Sequence, residues 1–171
     1  MNNEPSTISN HLTAPLWKIL EEVTDPEIPV LTLADMGIIR NVQIHGDEVE
    51  VLITPTYTGC PAMDVIAMNI RLALIEKGYK NVKVTSVLSP AWSTDWMSEE
   101  GKRKLKEYGI APPNPKQSVC EPGLFAKEEA VQCPRCNSWH TKAISHFGST
   151  ACKALYQCED CKEPFDYFKC H

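Results

Sequence analysis

Near the amino end, apolar residues recur at helical spacing, and further on the pattern switches to short alternating runs. Leu16, Ile19, Leu20 and Val23 stand at i, i+3, i+4 and i+7, which predicts an amphipathic helix. Thr13 is placed to cap that helix and Pro15 to sit in its first turn. The helix is expected to end near Asp25-Pro26, because proline pushes the residue before it out of the helical region. Ile38–Ile44 and Val49–Ile53 read as strands, joined through His45-Gly46-Asp47 as a hairpin. Met63, Ile66, Ala67, Ile70 and Leu74 then return to helical spacing between Pro61 and a closing Gly78. Val82–Leu88 reads as a third strand, which makes a strand-helix-strand crossover. Ser98–Tyr108 predicts a last helix stopped by Gly109.

The order is α-β-β-α-β-α, the pattern of a small two-layer α+β domain over residues 13–110, with 1–12 expected as a flexible polar tail. Residues 111–130 open with a proline-rich stretch, APPNPKQSVCEPG, and read as a linker. Residues 131–171 remain. A segment that short needs a metal, a disulfide or a partner to fold.

Composition narrows the function. The 171 residues carry 17 Lys+Arg against 22 Asp+Glu, a formal net charge of −5. An acidic chain is a poor fit to a phosphate backbone, so no nucleic-acid role is expected. No apolar run is long enough for a membrane helix, and the start MNNEPSTISNH has neither the basic nor the apolar region of a secretory signal. A cytoplasmic protein is expected. GxGxxG, Walker, GxSxG and HExxH patterns are absent, which counts modestly against an independent enzyme.

Cysteine is the informative residue. Six of the eight cysteines lie from Cys133 onward, and four form two CxxC pairs, Cys133/Cys136 and Cys158/Cys161, with 21 residues between the pairs. Two such turns bring four sulfurs around one point, the donor set of a structural zinc site. The region is therefore expected to be a zinc ribbon whose closed site does no catalysis. Trp139, Phe147, Tyr156, Phe165 and Phe168 are expected to supply its apolar face. Cys152 lies outside the knuckle spacing and is not expected to be a ligand, and Cys120, Cys170, His140, His146 and His171 are left without a role.

Cys60 differs from these. It sits in TPTYTGCPAMD, after a strand and at the mouth of a helix, where backbone N–H groups favour a thiolate. The alternative is an inert cysteine plugging the corner. Asp25 and Glu27 place two carboxylates on a proline-stiffened loop, with Asp35 in the next turn and Asp64 in the first turn of the Cys60 helix. These carboxylates suit metal binding or proton transfer, or they simply cap turns. Of Trp92 and Trp96, the first is expected in the core.

Taken together, DPEIPVLTLADMGIIRNV, TPTYTGCPAMD, SPAWSTDWMSEEGKRKLKEYGIAPP, and CPRC followed by FGSTACKALYQCEDCKEPFDYFK resemble the PaaD subunit family of bacterial phenylacetate degradation. The front domain alone is similar to iron–sulfur assembly factors. The resemblance implies an accessory or maturation factor beside a multicomponent phenylacetyl-CoA epoxidase, a monooxygenase. It would help assemble an iron–sulfur or di-iron centre and have no catalytic activity alone. It also implies transient metal or cluster ligation by Cys60, with Asp25 and Glu27 nearby, and a labile iron–sulfur cluster beside the structural zinc. The implied partners are the di-iron oxygenase or its iron–sulfur reductase. One thiolate cannot hold a cluster that takes four ligands, so a homodimer would bring two together, and small thiols or a client protein would supply the others. Two other readings stand beside this one: a permanent non-catalytic subunit of the oxygenase with Cys60 buried, and a thiol oxidoreductase using Cys60 or the Cys133/Cys136 pair.

Overall fold

A computed structural model describes residues 7–113 and 131–169, with side chains from Leu12 onward. Cys120, Cys170 and His171 lie outside the described residues. The chain divides into two compact units. Of the described residues, the first holds 7–55 together with Gly59–Pro90, and the second holds Thr56–Thr58 with 91–113 and 131–169.

The first unit is two-layered. Helix α1 runs Thr7–Leu20, strand β1 Ile39–His45, β2 Glu48–Ile53, helix α2 Met63–Glu76 and strand β3 Asn81–Ser86. The sheet order is β1-β2-β3, with β1 antiparallel to β2 and β2 parallel to β3, so α2 is the crossover that the apolar pattern predicts. The hairpin turns through Gly46 and Asp47, with Gly46 at φ +66°. On β2, Val49, Val51 and Ile53 are buried, while Glu48, Glu50 and Leu52 alternate with them at partial exposure. The buried face packs under Leu16 and Leu20 of α1 and under Ile66, Ile70 and Leu74 of α2. The opposite face is polar, where Glu50 accepts hydrogen bonds from Lys83 Nζ (2.8 Å) and Thr85 Oγ1 (3.0 Å).

Helix α1 departs from expectation at both ends. It begins at Thr7, so Thr13 is a buried residue inside it and not its cap, and Pro15 lies in its interior. Proline forfeits one hydrogen bond to the preceding turn, and that does not stop a helix from extending ahead of it. The helix also stops at Leu20, before Asp25-Pro26, because Val23–Leu33 forms its own turn structure. Within that structure Leu33 N–H donates to Val23 O and Asp25 N–H to Leu31 O.

The second unit holds a 3-10 turn Thr94–Trp96, helix α3 Glu99–Tyr108 and strands β4 Ile110–Ala111, β5 Thr141–Ser145, β6 Lys153–Cys158 and β7 Pro164–Phe168. Ser98 caps α3 by accepting from Gly101 N–H, and Gly109 closes it at φ +93°. The sheet order is β4-β7-β6-β5. β4 pairs in parallel with β7, while β5-β6 and β6-β7 are antiparallel. Residues 91–110, which the sequence groups with the front domain, and Ala111, which it places in the linker, cluster with the second unit, and Ile110 and Ala111 join its sheet. Trp92 is buried as expected and meets the fully buried Phe168 edge-on, ring centroids 6.0 Å apart. The expected aromatic face forms only in part: Phe165 and Phe168 are buried and Tyr156 is half-buried. Trp139 and Phe147 are exposed, and Lys169 Nζ lies 4.5 Å over the Phe147 ring.

Candidate metal centre

The two CxxC turns are built alike. Cys133 N–H donates to Ser138 O (2.8 Å), and Cys158 N–H donates to Glu163 O (3.0 Å). The residue after each second cysteine, Asn137 and Lys162, is left-handed, at φ +63° and +65°. The residue before each first cysteine is glutamine, and its amide donates to the carbonyl of that left-handed residue. The distances are 3.1 Å for Gln132 to Asn137 and 3.2 Å for Gln157 to Lys162. Sequence reading missed both glutamines. The signal was present, since Gln-Cys opens each knuckle.

These turns bring the four expected ligands together. The Sγ atoms of Cys133, Cys136, Cys158 and Cys161 all lie within 4.8 Å of one another. Cys133 Sγ stands 3.8 Å from Cys161 Sγ, and Cys136 Sγ 3.5 Å from Cys158 Sγ. Four thiolates bound at about 2.3 Å to one ion stand about 3.8 Å apart along each tetrahedral edge, whereas a disulfide holds its sulfurs about 2 Å apart. The spacing fits a shared tetrahedral ion and excludes disulfides within the set. Cys152 is outside the group, as expected, and lies buried beside Thr150 Oγ1 (3.0 Å).

The electrostatics suit a cation. Backbone N–H groups of Cys161 and Asp160 point at Cys158 and pull its thiol down to about 7. At Cys161 the Glu163 N–H also favours the thiolate, but burial and the neighbouring thiols outweigh it and push that thiol up to about 12. Cys136 is also raised, by burial and by Cys158 and Cys133, against the N–H of Ser138. Crowded sulfurs resist becoming anions together, and a divalent cation at their centre removes that cost. Cys133 and Cys158 are fully buried in a small core with Ala111, Val131, Ala154, Phe165 and Tyr167, whereas Cys136 is exposed. The knuckles are tied at their rim, where His140 meets Glu159 (2.9 Å) and Asp160 (3.2 Å), and Ser138 Oγ donates to Asp160.

In the first unit, Cys60 lies where expected, between β2 and α2, partly buried, with its carbonyl accepting from Met63 N–H (3.3 Å). Gly59 before it is at φ +82° with open space where a Cβ would stand. The cap position Ala62 offers no side-chain cap to the helix. At the start of the same loop, Thr54 Oγ1 is buried and makes no hydrogen bond among the described residues. Asp25 is buried, and its Oδ1 accepts from Glu27 N–H (2.8 Å) and Ile28 N–H (2.7 Å), so this carboxylate shapes the loop. Asp35 and Thr32 cap each other reciprocally. Glu27 is half-buried and Asp64 exposed. Among the described residues the four ribbon thiols are the only group of three or more such ligands gathered this closely, so Cys60, Asp25 and Glu27 do not form a second one.

Residues 117–169 match the model of the PaaD zinc beta ribbon domain, and residues 14–87 match that of the iron-sulfur cluster assembly protein family. An Escherichia coli protein, provisionally named as a subunit of 1,2-phenylacetyl-CoA epoxidase, is 48% identical over 165 residues, covering 96% of this chain and 97% of its own. A Porphyromonas gingivalis protein named Fe-S protein maturation auxiliary factor is 41% identical over 90 residues, 52% of this chain and 85% of its own. A crystallised domain of unknown function (DUF59) from Bacillus anthracis superposes with a TM-score of 0.53 at 25% identity, covering 57% of this chain and 94% of that one.

Proposed function

Since this chain belongs to the PaaD family of phenylacetyl-CoA epoxidase subunits, with a PaaD zinc ribbon behind an iron–sulfur-assembly unit, we propose that it is an accessory factor that helps mature the metal centre of such an epoxidase. It does this without catalysis of its own, in the cytoplasm, beside the oxygenase or its iron–sulfur reductase. Among the described residues no helix is long and apolar enough to cross a membrane.

The observation that carries this reading is the separation of two kinds of cysteine site. The ribbon offers four converging thiols, a closed donor set suited to a resident zinc ion that holds the fold. Zinc would supply no open position there, only cross-linking of the two knuckles. The assembly unit offers one thiol, Cys60, at an uncapped helix start on a loop opened by Gly59. A single thiolate makes a weak ligand, and weak ligation suits cargo that must be passed on. In this reading Cys60 holds an iron ion or cluster transiently, and a second copy, small thiols or the client supply the other ligands. Asp25 holds its own loop in shape through its two backbone bonds, and Glu27 adds negative charge to that loop.

The test is elemental analysis with optical spectra after anaerobic purification, for the wild type and Cys60→Ser. Iron lost in the variant, zinc retained, and a thermal stability within about 1 kcal/mol of wild type are expected, because Cys60 is only partly buried and serine is close to it in size. Unchanged iron content in Cys60→Ser would refute the carrier role, and a variant that merely unfolds would return Cys60 to a structural part.

A further inference from the structure

Helix α2 is apolar on two opposite sides. Ile66, Ile70 and Leu74 face the sheet and are buried. Val65, Met68, Leu72 and Ile75 point the other way and are 48%, 59%, 50% and 49% exposed. At about 100° per residue, the centre of this second stripe lies about 180° from the centre of the first. A surface helix of a single-copy protein carries polar residues there. The exposed four are spaced three, four and three residues apart, the a-d-a-d rhythm of a coiled-coil seam, with valine and leucine at a.

The flanks show what fits the seam. Asp64 and Arg71 occupy the g positions, and Asn69 and Glu76 the e positions. In a parallel pair, a g residue meets the e residue five positions on in the other helix. Arg71 then faces Glu76 of the second copy, and Asp64 faces Asn69, each contact made twice by symmetry. In an antiparallel pair centred on the stripe, g meets g, and Arg71 would face another Arg71. Neither Arg71 nor Glu76 makes an ion pair within the chain among the described residues.

We propose that two copies of this chain pair through this face, α2 alongside α2 in parallel about a two-fold axis. Parallel pairing brings both helix starts to one end, and Cys60 lies three residues before Met63. Helix axes packed this way lie about 8–10 Å apart. Two Cys60 thiols therefore flank the axis at that end, and a shared cargo would receive one ligand from each copy. This use of the pair rests on the carrier role proposed above, whereas the pairing itself stands on α2.

Sedimentation velocity on the full chain, with and without anaerobic iron and sulfide, tests the proposal. A concentration-dependent dimer is expected. Leu72→Glu should weaken it about a hundredfold while melting as the wild type does at concentrations where both are monomeric, because Leu72 is half exposed in the single chain. Arg71→Glu and Glu76→Arg should each weaken it about tenfold, and the double variant should restore it. A monomer at every concentration overturns the proposal, as does a dimer indifferent to Leu72→Glu. A double variant no better than the singles overturns the parallel register. If Leu72→Glu instead abolishes binding of the monomeric chain to an oxygenase subunit, the face serves that partner and the proposal is wrong. A monomer that still holds iron through Cys60 overturns the pairing and leaves the carrier role intact. A dimer of the expected pattern whose iron is independent of Cys60 supports the pairing and overturns the carrier role.

Discussion

Replacing one ribbon thiol at a time tests whether the four sulfurs act as one site, and the structure sets different costs for different positions. Structural zinc sites contribute about 10–16 kcal/mol in small domains, so an even share is about 2.5–4 kcal/mol per thiolate, or two to three powers of ten in affinity. Cys136 is exposed, so Cys136→Ser should lose that share and little else. Cys133 is fully buried among Val131, Phe165 and Tyr167. There the serine hydroxyl must also sit in an apolar core, which adds about 1–3 kcal/mol. Cys133→Ser should therefore bind metal more weakly than Cys136→Ser and leave the second unit open to protease, while the first unit keeps its own melting transition. Competition for zinc against a chromophoric chelator gives the affinities, and limited proteolysis gives the folded state. Cys136→Ser with full metal content and an affinity within about threefold of wild type would refute shared tetrahedral ligation. Equal losses at both positions would refute the added cost assigned to the buried one.

Three further outcomes follow from the geometry. A Cβ at Gly148 would stand 2.6 Å from Asp166 Oδ1 and 3.3 Å from Lys153 Cβ, so Gly148→Ala should destabilise the second unit by about 1–3 kcal/mol in urea unfolding. Lys162 pays for a left-handed backbone, so Lys162→Gly should stabilise the metal-loaded unit by about 0.5–1 kcal/mol in the same assay, less if the lost side chain contributes packing. Glu50 is held below its ordinary 4.5, first by the hydrogen bond from Lys83 and then by Thr85, while the same contact raises Lys83 above 10.5. A depressed carboxylate contributes stability above its unfolded pKa and loses it as pH falls through the folded one, and a raised ammonium loses its contribution as pH rises through its folded value. The melting-temperature advantage of wild type over Lys83→Met should thus be present at neutral pH and fade toward both extremes.

The parts of this molecule that were legible in sequence are those where local chemistry decides alone. Gly78 and Gly109 stop their helices, Ser98 starts one, and the Val49–Ile53 alternation matches the buried face of β2. The gathering of the four ribbon cysteines was legible because two CxxC turns leave few other uses for their thiols. What was hidden depends on partners distant in sequence. Strand β4 is two residues long and runs into Pro112-Pro113, so it reads as the start of a linker, and only pairing with β7 makes it a strand. Asp25 reads equally as a ligand or a cap until Ile28 and Glu27 are seen donating to it. The early start of α1 was hidden by Pro15, whose usual place is a first turn.

The matched knuckles each set their first cysteine inside and their second toward the surface, fully buried Cys133 and Cys158 against exposed Cys136 and partly exposed Cys161. A site of that shape has a front door and no back door. An incoming chelator or competing thiol reaches the outer sulfurs first and must form its own bonds there before the inner pair lets go. Metal exchange should accordingly proceed by ligand replacement at the surface, with a rate that climbs with competitor concentration and does not level off at the rate of unfolding.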